Sequence, residues 1–84
     1  MIALYPGTFD PITNGHFEII RRASTLFGDL VVGVAKSPEK NPLFTIDQRL
    51  EMVNEVLNNF NNIEVKAYDG LTINFAKSIE ARVI

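Results

Sequence analysis

The sequence predicts an α/β fold with a parallel sheet, because short β-rich runs alternate along the chain with longer stretches of helical spacing. Three strand–helix pairs follow one another within 84 residues. Strands separated by helices pair in parallel through right-handed crossovers. We therefore expect a Rossmann-like sheet with helices on both faces, formed by residues 1–84 as the N-terminal portion of a single domain.

The first strand and helix flank a loop that contains proline and glycine. Residues 2–5 form an apolar run that we expect to stop at Pro6, and helical spacing begins near Gly15. Gly28 stands where a left-handed C-cap glycine is expected to end this helix. The apolar face of the helix is expected to consist of Ile19, Ile20, Ala23, Leu26 and Phe27.

The second unit has a buried strand followed by a capped helix. Residues 30–35 are unbroken and β-rich, as in a strand covered on both faces. After a loop with two prolines, Thr45 and Gln48 match an N-terminal capping box. Helical spacing then continues through Ile46, Leu50, Val53, Leu57 and Phe60.

The third unit is shorter. Residues 63–67 alternate as a strand does, Asp69-Gly70 predicts a turn, and residues 71–78 predict a helix. Residues 81–84 look like the opening of a fourth strand. We interpret the sequence as truncated in that strand, because a complete domain does not ordinarily leave its sheet half built.

Composition excludes several classes of protein. The chain is 46% hydrophobic and 21% charged, as in soluble globular proteins, and it lacks both a membrane-spanning run and a signal-peptide pattern. The absence of cysteine excludes disulfides and agrees with a cytoplasmic location. A net charge of −2 argues against nucleic acid as the ligand, whereas a small phosphorylated ligand needs only a few placed cations.

The loop from Pro6 to His16 is the candidate ligand site. Ligands of open parallel sheets bind beyond the carboxyl ends of the strands, where the strand order reverses. Gly7 lets backbone approach a ligand closely, and the following helix N-terminus attracts phosphate. Thr8 adds a hydroxyl and His16 an imidazole N–H. The loop is neither a Walker A motif nor a G-x-G-x-x-G fingerprint.

Residues 13–16, Thr-Asn-Gly-His, resemble the Thr/His-x-Gly-His signature of the nucleotidyltransferase superfamily. The longer string from Tyr5 to His16 closely resembles the bacterial phosphopantetheine adenylyltransferase family. Residues 37–45, Arg49 and residues 69–71 also fall in register with that family. The resemblance covers the whole chain, which would correspond to roughly the N-terminal half of a typical member.

The resemblance implies a reversible reaction in coenzyme A biosynthesis, in which ATP and 4′-phosphopantetheine give dephospho-coenzyme A and pyrophosphate. The acceptor phosphate attacks the α-phosphorus in line, so catalysis depends on positioning and charge stabilisation. Magnesium would enter with ATP, and no metal site built by the protein is expected. The family also implies a homo-oligomer, a hexamer.

By matching position, His16 would bind ATP and stabilise the transition state. Thr8 would lie between the reacting phosphates, and the backbone of Thr8 and Phe9 would contact the nucleotide. Lys40 would hold the phosphopantetheine phosphate as a point charge. Thr72 would contact the pantetheine arm, through its backbone, because many relatives carry Leu or Met there.

Each of these residues also has a plainer interpretation. A histidine at a helix start is ordinarily a cap or a surface residue, and Thr8 alone would be a turn residue. Lys40 could be a solvated lysine, with Lys36 as its rival for the phosphate. Asp10 could be a metal ligand or a base, but we expect it to brace the loop by accepting backbone N–H bonds. Arg21 and Arg22 are expected to form a solvated helix face, and Asn74 either lines the site or is exposed.

Two other functions stay open. One is adenylyl transfer to another acceptor, such as nicotinamide mononucleotide, although those enzymes typically carry His where this chain has Thr13. The other is a nucleotide-binding module or an inactive fragment, because the family's Arg-Gly-Leu-Arg segment and later Ser-rich ATP-binding loop are absent from these residues. We therefore expect little or no turnover from the 84-residue chain alone.

Overall fold

The structure is a computed structural model that describes residues 1–36 and 42–84. Strands and helices alternate, as the spacing of apolar residues predicts. In chain order the elements are β1 (Ile2–Gly7), α1 (Asn14–Leu26), β2 (Asp29–Ala35), α2 (Ile46–Val56), β3 (Ile63–Tyr68) and α3 (Thr72–Ser78). None of the helices in the described ranges is long and apolar enough to cross a membrane.

The described strands form a parallel sheet in the order β1-β2-β3. On the free side of β1, Val83 makes a parallel bridge to Ala3. Leu4 N donates to Val83 O at 2.8 Å, and Arg82 N donates to Ile2 O at 2.8 Å. The predicted fourth strand is therefore present as a single bridge within the described chain.

The helices cover both faces of the sheet, which confirms the Rossmann-like prediction. Helices α1 and α2 pack on one face, and their shared core is Ala3, Phe9, Ile20, Leu30, Val32, Val34, Val53 and Leu57. Helix α3 packs on the other face through Ala76, against Leu4 and Val31. Helices α1 and α2 connect strands in one direction across the sheet, whereas α3 leads back to the other side of β1. Right-handed crossovers that run in opposite directions place their helices on opposite faces, so the strand order reverses at β1.

Strand β1 runs through Pro6 to Gly7, whereas we expected it to stop at Pro6. Proline has no backbone N–H and is tolerated in a strand only where no ladder bond is lost. The polar backbone groups of Ile2 and Leu4 face the Val83 side of β1. By strand alternation Pro6 faces that same side, away from β2, so its missing N–H removes no bond between β1 and β2.

The apolar face of α1 differs from the prediction at two positions. Ile20 is fully buried, but Ile19 is 51% exposed and Leu26 is 77% exposed. The residues that pack on the core from this helix and its C-cap are Phe17, Ile20, Ala23 and Phe27. This stripe is narrower than the predicted face, because the sheet contacts only one side of the helix.

The C-terminus of α1 also differs from the prediction. The C-cap is Phe27 in an extended conformation, with φ −118° and ψ 146°, and Gly28 is not left-handed. The side-chain amide of Asn62 donates to Ser24 O at 2.8 Å and reaches Phe27 O and Gly28 O at 3.5 Å. A residue from the segment before β3 therefore satisfies Ser24 O, a last-turn carbonyl that a left-handed glycine cap would otherwise have satisfied.

Two local predictions are confirmed. Gln48 N donates to Thr45 Oγ1 at 3.1 Å, and Thr45 N donates to Gln48 Oε1 at 3.0 Å, which is the predicted capping box of α2. Gly70 has φ 81° and its N–H donates to Asp69 Oδ1 at 2.9 Å, as expected of the predicted turn. Both features depend only on residues close in sequence.

Candidate functional site

The carboxyl ends of the strands place the predicted site residues along one edge of the sheet. Thr8 directly follows β1, the strand at which the strand order reverses. Lys36 follows β2, and Thr72 begins α3 after β3. Neighbouring parallel strands lie about 4.8 Å apart, so the end of β3 is about 10 Å from the end of β1. Ligands of such sheets collect at this edge, beside the reversal.

His16 is the third residue of α1 and takes part in a capping box with Thr13. Thr13 Oγ1 accepts a hydrogen bond from His16 N at 3.3 Å. In return, the backbone N–H of Thr13 donates to His16 Nδ1 at 3.0 Å. The plainer interpretation of this histidine, as a helix cap, therefore describes a contact that the molecule makes.

The bond from Thr13 N to Nδ1 also determines which ring nitrogen of His16 can donate a hydrogen bond to a ligand. Because Nδ1 accepts an N–H bond, the neutral ring of His16 carries its proton on Nε2. No hydrogen bond joins Nε2 to another residue of the described ranges. The half-buried ring also packs edge-on against Phe9, with centroids 4.8 Å apart. The cap and the ring contact thus hold an N–H donor at a helix N-terminus, where anions bind favourably.

Phe9 is part of the core, with 2% of its surface exposed. Its ring packs edge-on against Tyr5, with centroids 5.7 Å apart, and its φ of 50° is left-handed. A Cβ on Gly7 would lie 2.9 Å from Phe9 Cε2, so the Phe9 ring fills the space in front of that glycine. Because the Phe9 side chain is buried, only its backbone can contact a ligand. The resemblance likewise implies a backbone contact from Phe9 to the nucleotide.

Thr8 is exposed, and its carbonyl oxygen accepts a hydrogen bond at 2.9 Å from Arg49, a residue to which we assigned no role from sequence. The Arg49 side chain is buried, with 1% exposure. It donates to Ala35 O at 2.8 Å, Phe44 O at 3.1 Å and Lys36 O at 3.3 Å. Among the residues that the structure describes, no carboxylate forms an ion pair with it.

A sequence signal for Arg49 does exist. The core-facing stripe of α2 consists of half-buried Ile46 and Leu50 and buried Val53. Arg49 lies three residues after Ile46, on the same side of the helix. A cation in an apolar stripe needs buried hydrogen-bond acceptors, because burying it without them is strongly unfavourable. Sequence alone does not say which acceptors these are.

Asp10 accepts backbone hydrogen bonds, as expected, but from a distant segment. Its Oδ2 atom accepts from Leu43 N at 2.7 Å, and its Oδ1 atom accepts from Phe44 N at 2.8 Å. Both donors lie more than thirty residues along the chain, just before α2. The expectation that Asp10 braces its own loop is therefore corrected: this carboxylate joins that loop to the segment before α2.

Thr72 is half-buried at the start of α3, and its hydroxyl is hydrogen-bonded to Tyr68 Oη at 2.9 Å. The Tyr68 ring stacks on Phe75, with centroids 4.5 Å apart and planes 5° apart. Since the Thr72 side chain is engaged in this way, its backbone is the part that remains for a ligand. Asn74 is exposed.

The remaining candidates are the basic residues. Lys40 lies outside the described residues, while its rival Lys36 is exposed, and Lys36 N donates to Tyr68 O at 2.7 Å. Arg21 and Arg22 are exposed and both pair with Glu18, so the predicted solvated face is confirmed. The hydrogen bond from Arg21 holds the pKa of Glu18 below its usual value.

No cluster of three or more acidic or histidine side chains that could hold a metal ion occurs within residues 1–36 and 42–84. Within the described part of the chain, the loop after β1 is bonded to a buried cation, Arg49, and it contains a carboxylate, Asp10, that accepts two backbone N–H groups. The donors at this edge suit an anionic ligand better than a bare cation.

Comparison with known proteins agrees with this description. A family model described as cytidylyltransferase-like matches residues 4–84. The phosphopantetheine adenylyltransferase of Carboxydothermus hydrogenoformans is 54% identical over 83 residues, which are 99% of this chain and 51% of the relative. The enzymes of the same name from Ralstonia pickettii and Gloeobacter violaceus are each 49% identical over 84 residues, or 50% and 52% of their lengths. The chain therefore spans about half the length of the curated relatives it matches.

Proposed function

Because the chain belongs to the cytidylyltransferase-like family, we propose that it carries the nucleotide-binding part of a phosphopantetheine adenylyltransferase site. The reaction is transfer of the adenylyl group of ATP to 4′-phosphopantetheine, giving dephospho-coenzyme A and pyrophosphate. The observation that carries the proposal is the Nε2–H donor of His16, held at the N-terminus of α1 beside the point of strand reversal. The names of the relatives support the choice of substrates.

The proposed mechanism needs no covalent enzyme intermediate. The acceptor phosphate attacks the α-phosphorus of ATP in line, and negative charge develops on the phosphoryl oxygens. His16 Nε2–H and the first-turn N–H groups of α1 donate to those oxygens. Thr8 offers its hydroxyl between the two phosphates, while the backbone of Thr8 and Phe9 contacts the nucleotide. Magnesium enters bound to the ATP phosphates.

The acceptor is proposed to lie further along the same edge. Lys40 holds the phosphate of 4′-phosphopantetheine, and the backbone of Thr72 contacts the pantetheine arm. The placement of Thr72 at the carboxyl end of β3, with its hydroxyl already bonded to Tyr68, supports a backbone contact. Thr13 favours this acceptor over nicotinamide mononucleotide, whose enzymes typically carry His at that position.

The proposal is tested by titrating the 15N-labelled chain with ATP and by assaying pyrophosphate release with each acceptor. We expect ATP to shift the amide signals of Thr8, Phe9 and residues 14–16. Formation of dephospho-coenzyme A supports the choice of acceptor. Product formed only with nicotinamide mononucleotide, or signals unmoved by millimolar ATP, would contradict the proposal.

A second candidate function is nucleotide binding without autonomous turnover. The observation that favours it is length, because half of each curated relative has no counterpart in these 84 residues. The two candidates differ in one measurement. Binding of ATP without product supports the module, whereas turnover that continues over many cycles supports the enzyme.

We also propose that the protein works in the cytoplasm as a homo-oligomer. Exposed Ile19 and Leu26, one heptad apart on α1, support self-association, because both are large apolar side chains open to solvent. Light scattering after gel filtration measures the mass directly. A mass of 9.4 kDa at tens of micromolar would indicate a monomer and contradict the proposed assembly.

A further inference from the structure

Arg49 is the point at which three segments of the carboxyl edge meet. Its guanidinium donates to Thr8 O after β1, to Ala35 O and Lys36 O at the end of β2, and to Phe44 O before α2. The four donor–acceptor distances lie between 2.8 and 3.3 Å. One side chain therefore sets the position of backbone from β1, from β2 and from the approach to α2.

The burial of Arg49 needs an explanation beyond stability. A buried cation loses its hydration, and a well-packed apolar side chain at the same position is often at least as stable. What an arginine adds is a rigid, planar fork of donors with fixed directions. Because every described acceptor of this fork is a backbone carbonyl, the fork constrains where three chain segments lie relative to one another.

Asp10 provides a second link to the segment before α2. Its carboxylate accepts from Leu43 N and Phe44 N, at 2.7 and 2.8 Å. Phe44 is thus held twice, its N–H by Asp10 and its C=O by Arg49. Asp10 belongs to the loop after β1, and Arg49 bonds Thr8 of that same loop. The two contacts close a circuit between the loop after β1 and the segment before α2.

We propose that Arg49 and Asp10 form a clamp that holds the backbone of Thr8 against Leu43–Phe44 before any nucleotide binds. Both are then positioning residues for phosphate binding, acting through the Thr8 loop. The part of this inference that concerns ATP rests on the proposed function. The clamp itself is a property of the ligand-free chain, so it is tested separately.

The first test is amide hydrogen exchange without ligand. In Asp10→Asn and in Arg49→Lys we expect the exchange of Leu43 and Phe44 amides to become roughly tenfold faster, because each loses part of the circuit. Asp47→Asn and Arg22→Lys make the same chemical changes at exposed positions and are expected to leave these amides unchanged. Unchanged exchange in Asp10→Asn would overturn the clamp, even if Arg49→Lys does not fold.

The second test is the ratio of the dissociation constants for ATP and adenosine, measured by NMR titration. If the clamp fixes the Thr8 loop in the conformation that binds phosphate, its loss should affect a ligand with phosphates more than one without them. We therefore expect Arg49→Lys to weaken ATP binding roughly tenfold and adenosine binding less than twofold. Partial unfolding would weaken both ligands equally, and an unchanged ratio would overturn the positioning role. If the parent chain does not bind ATP, the proposed function fails, and the exchange measurement alone decides on the clamp.

The double variant Asp10→Asn/Arg49→Lys tests whether the two residues act together. Residues of one circuit are not independent, so the double variant is expected to raise Leu43 and Phe44 exchange no more than the worse single variant. If the increases in exchange rate of the two single variants multiply in the double variant, the two residues act independently, which would contradict a single clamp.

Discussion

The backbone N–H of Thr13 donates to Nδ1 of His16 at 3.0 Å, so one imidazole both caps α1 and presents an Nε2–H donor. The capping role and the proposed nucleotide role use different ring nitrogens. They can therefore be separated by substitution, because glutamine at the third helical position also accepts the N-cap N–H but has no imidazole.

We expect His16→Ala to lower the free energy of unfolding by about 1 kcal/mol, the usual value of a lost cap, and His16→Gln to lower it by less. Both variants should lose ATP binding by roughly tenfold or more, the loss expected for one hydrogen bond to a charged group. Urea denaturation and ATP titration measure the two effects. If His16→Gln binds ATP as tightly as the parent chain does, the imidazole does not contribute to ATP binding.

We expect glycine to be required at position 7, because the Phe9 ring occupies the space that a side chain would need. A Cβ on Gly7 would lie 2.9 Å from Phe9 Cε2, so Gly7→Ala should destabilise the chain by about 1–3 kcal/mol. Gly28→Ala is the matched control, since nothing lies within 4 Å of a Cβ there and its φ is not positive. Denaturation of the two variants side by side gives the comparison, and equal losses would show that Gly7 is not constrained by the ring.

Asn62 is expected to stabilise the C-terminus of α1. Asn62→Ala leaves Ser24 O without its side-chain donor and should lower the free energy of unfolding by about 1 kcal/mol. Asn59→Ala, at an exposed position of the preceding turn, serves as the control and should have little effect. Amide exchange across residues 24–28 locates the change, and a uniform change over the whole chain would argue against a local cap.

The pKa of Glu18 is expected to rise toward its usual 4.5 in Arg21→Ala, because the Arg21 hydrogen bond is the largest cause of its lowering. A lowered pKa in the folded chain means that the pair contributes stability above about pH 4.5 and loses it as the pH falls through the folded value. The contribution is small, since both groups are exposed to solvent. A 13C titration of the carboxyl measures it; an unchanged pKa would show that the pair does not persist in solution.

Some of the site was predictable because it depends on neighbours in sequence. The capping box of Thr45 and Gln48 and the turn at Gly70 involve residues at most three positions apart. The cap formed by His16 is equally local and agrees with the plainer interpretation of that histidine, but the reciprocal bond with Thr13 was not predicted, because the ordinary capping box has Glu or Gln in that place. The loop from Pro6 to His16 was expected at the strand reversal because the first strand of such a sheet usually borders that point.

Sequence by itself determined the order of strands and helices, the parallel sheet and the location of the candidate loop, since each follows from periodicity or from short-range hydrogen bonds. Only the tertiary structure decided how Arg49 reaches Thr8 across 41 residues, how Asp10 reaches Leu43 across 33, and how Asn62 reaches Ser24 across 38. Those contacts depend on which strands pair and which helix faces turn inward. No local pattern specifies them, because the partners become neighbours only when the sheet assembles.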